Sequence, residues 1–177
     1  MRSVRLSGAT MPRFSGLGSL ERREDLLAKL HHDYERVRNA PGDPYAAFDF
    51  FVTAEHMIDW VLPGQANRQA REKLRAGSVL LQVVSHVASG AKHFIAEARH
   101  HQSVRHADVA PAAFQRDAFQ ENAFQTGDLY LTLERSAAES LGAHIGVRDL
   151  AVRILDFWDR YVREHKSDPH EGDRSPT

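Results

Sequence analysis

The stretch Asp43-Pro44-Tyr45-Ala46-Ala47-Phe48-Asp49-Phe50-Phe51-Val52-Thr53-Ala54-Glu55-His56-Met57-Ile58-Asp59-Trp60-Val61-Leu62-Pro63-Gly64 decides the fold. Asp43 offers a carboxylate to the free N–H groups of a helix start, and Pro44 fits the first helical position because its missing N–H is not needed there. Pro63-Gly64 stops the helix. Between these ends, Phe48, Phe50, Phe51, Val52, Ala54, Met57, Ile58, Val61 and Leu62 cover nearly the whole circumference. A helix that is apolar on most sides belongs in the middle of a core, so other helices must pack around it.

On the N-terminal side, Leu26, Leu27, Leu30, Tyr34 and Val37 recur at helical spacing, with Ser19 as the expected N-cap and Glu21, Glu24 and Asp25 near the positive end. That helix ends at Ala40-Pro41-Gly42-Asp43-Pro44. On the C-terminal side an Arg-rich segment over 65–76 reads as a solvated helix or a connection. A third main helix then starts at Ser78 and continues to about Arg99 along Leu80, Val83, Val84, Val87, Ala91, Phe94 and Ala98, with Gly90 weakening its centre. A last helix is predicted over 147–165 on the stripe Val147, Leu150, Ala151, Ile154, Phe157, Trp158 and Tyr161. On it Asp149/Arg153, Asp156/Arg160 and Asp159/Arg163 are spaced for i,i+4 pairing.

The pattern changes between these last two helices. Residues 101–110 have weak strand character, and Leu129, Leu131 and Leu133 alternate with Tyr130, Thr132 and Glu134. The expected fold class is therefore mainly α: a bundle of about four main helices with a small inserted antiparallel β-ribbon. The expected organisation is a leader over 1–18, one helical domain over 19–165 carrying the ribbon and its loop over about 100–135, and a polar tail over 166–177. Either Met1 or Met11 fits as the start of the leader. Inside the ribbon lie Ala113-Phe114-Gln115, Ala118-Phe119-Gln120 and Ala123-Phe124-Gln125. Their period of five matches neither helix nor strand, and stacked repeats need more neighbours to bury a core, so a duplicated loop is expected. Exposed Phe rings would be unusual, so some must pack back on the domain or meet a partner.

Composition narrows the function classes. The chain has 177 residues, 42% of them hydrophobic and 27% charged, which suits one globular domain. A net charge of -1 gives no electrostatic reason to expect RNA or DNA as a partner, and no apolar run approaches the roughly 20 residues that span a bilayer. No cysteine is present, which excludes disulfides, thiol nucleophiles and thiolate metal sites. A cytoplasmic location is expected. No P-loop, Gly-x-Ser-x-Gly elbow or His-Glu-x-x-His occurs.

Two sets of polar residues remain as candidate sites. On the second helix Glu55 lies on the apolar arc and Asp59 one turn further, with His56, Asp49 and Trp60 alongside. A carboxylate there must find a partner, shift its pKa or face a cavity. Glu55, His56 and Asp59 form either an acid/base or metal cluster, or ion pairs with Arg or Lys from a neighbouring helix. On the third helix Gln82, His86, Ser89, His93, Glu97 and His100 fall on one face. Within it His93, Glu97 and His100 have spacing compatible with a divalent transition metal, zinc, iron or manganese, and a solvated face is the alternative. The lone Glu97-x-x-His100 pair does not meet the two such pairs of di-iron bundles.

The run Ala47-Phe48-Asp49-Phe50-Phe51-Val52-Thr53-Ala54-Glu55-His56-Met57-Ile58-Asp59-Trp60, with Gly90-Ala91-Lys92-His93-Phe94 and Leu155-Asp156-Phe157-Trp158, resembles a group of small uncharacterised bacterial and phage helical proteins. The resemblance implies that His56, Asp59, Trp60, Lys92 and His93 form one site, with His56, Asp59, Lys92 and His93 as its catalytic candidates, and implies no activity. Arg160 to His165 and Arg99 to His106 resemble the Arg, four to six residues, His signature of HEPN domains, helical bundles that often act as ribonucleases. Two function classes follow. One is a non-enzymatic binding or regulatory module with a protein partner or self-association. The other is a hydrolase or ribonuclease built on that cluster. A further expectation makes Asp59 and His93 partners across the contact of the second and third helices.

Overall fold

The computed structural model describes residues 18, 20–93, 102–109 and 127–165, with the side chains of Lys92 and His93 outside that set. The elements run α1 (Arg23–Asn39), α2 (Pro44–Val61), a single 3-10 turn (Gln65–Asn67), α3 (Arg68–Ala76), α4 (Val79–His93), β1 (Val104–Val109), β2 (Leu129–Leu133), α5 (Arg135–Leu141), β3 (His144–Gly146) and α6 (Val147–Glu164). The fold is mainly α, with four long helices and a small antiparallel sheet between α4 and α6. No helix among the described residues is long and apolar enough to cross a membrane.

Helix α2 starts as its sequence dictates: the Asp43 side chain accepts from the Tyr45 N–H at 2.8 Å, and Pro44 opens the helix. Its Phe50, Phe51, Ala54, Met57 and Ile58 are buried. Helix α1 starts later than Ser19 suggests. Arg22 is the N-cap, and the Asp25 carboxylate turns back to accept from the Arg22 and Glu21 N–H groups at 2.9 and 3.1 Å. The third-position carboxylate thus supplies the reach-back half of a capping box, and the N-cap itself contributes no serine hydroxyl.

Helices α1 and α2 lie antiparallel, which follows from the short turn between them and from two ties. Near one end the Arg36 guanidinium meets Asp49. Near the other, Lys29 Nζ donates to Asp33 Oδ2 at 2.5 Å and to Thr53 Oγ1 at 2.8 Å, while Thr53 Oγ1 donates to the same Asp33 oxygen at 2.6 Å. Asp33 and Thr53 are buried, so this triangle satisfies groups that would otherwise be costly inside the core. Helix α6 closes the other flank of the bundle with Val147, Leu150, Ala151, Ile154, Leu155, Trp158 and Val162 buried. Its three expected i,i+4 pairs do not form among the described residues. Asp159 instead reaches His31 of α1 at 2.9 Å, and Arg160 Nε donates to the Asp156 backbone carbonyl at 3.4 Å. Exposed pairs are worth a few tenths of a kcal/mol, little enough for a partner on another helix to displace them.

The sheet has three strands in the order β1-β2-β3, one more than the ribbon expected from sequence. Val109 pairs with Leu129 and Val104 with Leu133, with a register shift between Val104 and His106. Leu131 faces Ile145 of β3. Alternation buries Leu131 and Leu133 against the helices. Helix α5 ends at Gly142, whose φ of 95° makes the turn into β3 that a side chain would disfavour. A main-chain bond from Leu129 N–H to the Pro41 carbonyl, 3.0 Å, ties the sheet to the α1–α2 turn.

Candidate functional site

Along the sheet the helices do not close. A groove of about 790 Å³ lies between α2, α4 and the strands. Helix α2 lines it with Pro44, Ala47, Phe48 and Phe51, which fall on one helical face, and α4 with His86, Val87, Gly90 and Ala91, likewise one face. Leu129, Leu131 and Val147 complete an apolar floor. Phe48 is 43% exposed and Val109 52%, so the floor presents open apolar surface.

Strand β1 contributes all of Val104, Arg105, His106, Ala107, Asp108 and Val109 to this groove. Successive strand residues point to opposite faces of a sheet, so a groove that touches every one of them runs along the strand's edge. That edge is the outer one, since β1 is terminal in the sheet and β2 occupies its other side. Among the described residues, no main-chain group from another segment bonds to β1 on its outer side. At the start of the strand a side chain does so: His86 Nδ1 accepts from the Ser103 N–H at 3.2 Å and the Val104 N–H at 3.0 Å. Accepting at Nδ1 places the neutral ring's proton on Nε2. His86 thus fastens one end of β1 to α4 and leaves the rest of the edge along the groove. The lip carries both signs, with Arg105 near Glu134 at 3.4 Å and His106 near Asp108 at 4.0 Å.

The polar residues of α2 have other partners. Glu55 Oε1 accepts from Arg75 of α3 at 2.7 Å. Burial pushes the Glu55 carboxyl above its ordinary 4.5, against the pull of Arg75 and of Ser85 on α4. The Arg75 Nε is buried without a hydrogen-bond partner, so α3 is held by a pair that is only partly satisfied. Asp59 is exposed and lies 3.2 Å from Arg71 of α3, which also donates to the carbonyls of Leu62 and Gly64 at 2.6 and 2.8 Å. Both carboxylates therefore form the ion pairs with arginine that were the alternative to a chemical cluster. His56 is exposed and Trp60 half-buried.

Lys92 and His93 end α4, and their side chains, with Glu97 and His100, lie outside the described residues, as do Arg99 and the Ala-Phe-Gln repeat. Gly90 and Ala91 of α4 line the same groove as Phe48 of α2, which lies roughly three turns and about 16 Å along its helix from Asp59. No described contact joins His56 or Asp59 to that end of α4. His165 stacks on Tyr161, ring centroids 4.1 Å apart, and its Nδ1 lies 2.9 Å from the Tyr161 carbonyl oxygen. Among the described residues no three His, Asp or Glu side chains are grouped to hold a metal ion.

Two features escaped the sequence reading. Asp33 follows Leu26 and Leu30 and precedes Val37 at steps of four, three and four, so its position on the buried stripe was there to be found. The groove had no such signal, because three elements far apart in the chain build it. No family model, curated protein or solved structure matches this chain.

Proposed function

We propose that this protein is a binding module that takes an extended apolar peptide along the outer edge of β1. One observation carries the reading: an open groove runs the length of a terminal strand over an apolar floor. Strand addition uses both features, with main-chain hydrogen bonds supplying register and every second side chain filling the apolar space. The nearly neutral charge and the mixed signs at the lip favour such a ligand over a nucleic acid. An enzyme reading has no comparable support, since Asp49, Glu55 and Asp59 of α2 are engaged by Arg36, Arg75 and Arg71.

The test is amide NMR of the full chain titrated with extended peptides bearing alternating apolar residues. Expected are shifts at Val104–Val109 and at Phe48. N-methylation of alternate peptide residues should weaken binding at least tenfold, and methylation of the residues between them should not. Shifts confined to other surfaces, or equal effects of every methylation, would sink the proposal.

A further inference from the structure

We infer that the groove's ligand includes the chain's own Ala-Phe-Gln repeat, residues 110–126, docking in cis. The inference rests on the reading of the groove as a peptide site. Val109 and Leu129 are paired across β1 and β2, and both line the groove. The seventeen residues between Ala110 and Thr126 therefore leave and return at its mouth.

Length permits the docking. With its two ends held together, such a segment reaches outward by half its extended length, roughly 28 Å. Strand β1, at about 3.3 Å per residue, spans about 20 Å. The segment is long enough to lie back along the whole edge, and no linker is needed.

Chemistry matches as well. The step of five between Phe114, Phe119 and Phe124 places neighbouring rings on opposite faces of an extended chain, so one ring of each adjacent pair seats on the floor while the other stays at the lip, each with a small alanine before it. Each precedes a glutamine, whose amide suits the mixed lip of Arg105, His106 and Asp108. No charged group lines the floor at Phe48, Phe51, Val87 and Leu129. A tethered ligand also acts at an effective concentration in the millimolar range, so an intrinsically weak fit is enough to fill the site. An outside peptide must then compete with the tethered one, which sets a threshold on which partners bind.

The experiment uses a synthetic peptide of residues 110–126 and two full-length chains, one unaltered and one carrying Phe114→Ser, Phe119→Ser and Phe124→Ser. The peptide should bind the triple variant and bind the unaltered chain at least tenfold more weakly. Equal binding to both chains overturns docking in cis. Binding to neither overturns the choice of occupant. If an unrelated apolar peptide still binds the triple variant in that case, the groove reading stands and only the occupant falls. Sedimentation that shows the unaltered chain as a dimer, and the triple variant as a monomer, would assign the repeat to a second copy and also overturn the inference. A separate arm leaves the repeat intact. Chymotrypsin cleavage after the three Phe residues should speed up at least fivefold in Phe48→Asp, a change at an exposed position whose fold is verified by circular dichroism. An unchanged rate counts against the inference.

Discussion

Helix α2 has two contrasting neighbourhoods. Towards α1 and α6 its side chains are sealed, and the buried polar groups there, Asp33 and Thr53, bond to each other and to the exposed Lys29 ammonium. Towards α4 and the sheet the same helix leaves Phe48 in the open, over a groove with a strand edge beside it. Phe48 and Phe50 are two residues apart and chemically identical, and their surroundings differ because 200° of helical rotation separates them. The sealed side fixes the position of the helix, and the open side is where a ligand can gain from apolar contact. Substitutions on the open side can therefore change the groove without risk to the core.

The sharpest test of that contrast pairs the two phenylalanines. Phe50→Ala should cost about 4 kcal/mol in denaturant unfolding, since it empties a fully buried site. Phe48→Ala should cost about 1 kcal/mol or less, and should weaken peptide binding instead. Similar losses of stability in both variants would mean that the groove belongs to the core. Next in size, Asp33→Ala should destabilise by about 2 to 3 kcal/mol. This is less than for a fully buried pair because the Lys29 side chain is 41% exposed and can turn to water. A loss under about 0.5 kcal/mol would show that the triangle is incidental.

The smallest effect lies at the boundary between the two sides. The folded state holds the proton of Glu55 more tightly than the unfolded chain does, because burial raises its pKa from 4.5. Its contribution to stability is therefore greatest below about 4.5, and is lost as pH rises through the raised folded value. Glu55→Gln should change stability at pH 7 by less than about 1 kcal/mol, since the amide oxygen still accepts from Arg75. The difference between the unaltered chain and the variant should move against the unaltered chain as pH rises through that window. A pH-independent difference, followed by thermal unfolding from pH 4 to 7, would contradict the burial of Glu55.

The sequence made the long helices legible because each carries its own evidence: the Asp43-Pro44 start and apolar circumference of α2, and the broad stripe from Val147 to Trp158 on α6. Short elements carry less. Helix α5 and strand β3 are too brief for a period to emerge, and β3 exists because Ile145 meets Leu131 on β2. The partners of Glu55 and Asp59 were foreseeable in kind, as arginines of a neighbouring helix, but their identity depended on α3 folding back beside α2. The polar face of α4 was visible in the sequence. The use of His86 as a clasp for β1 was not, since the clasp includes two backbone N–H groups with no signature of their own.

The bond between Leu129 N–H and the Pro41 carbonyl has a consequence for how the chain is made. It joins the sheet to a turn synthesised long before it. Helices emerging from a ribosome in order would present the apolar circumference of α2 while β2 and α6, which finish enclosing it, are still untranslated. Assembly therefore waits for the C-terminal third, and the nascent chain carries unshielded apolar surface until Trp158 arrives. A chaperone that holds the first four helices, or slow translation ahead of residue 129, would change the yield of folded protein without altering a single native contact.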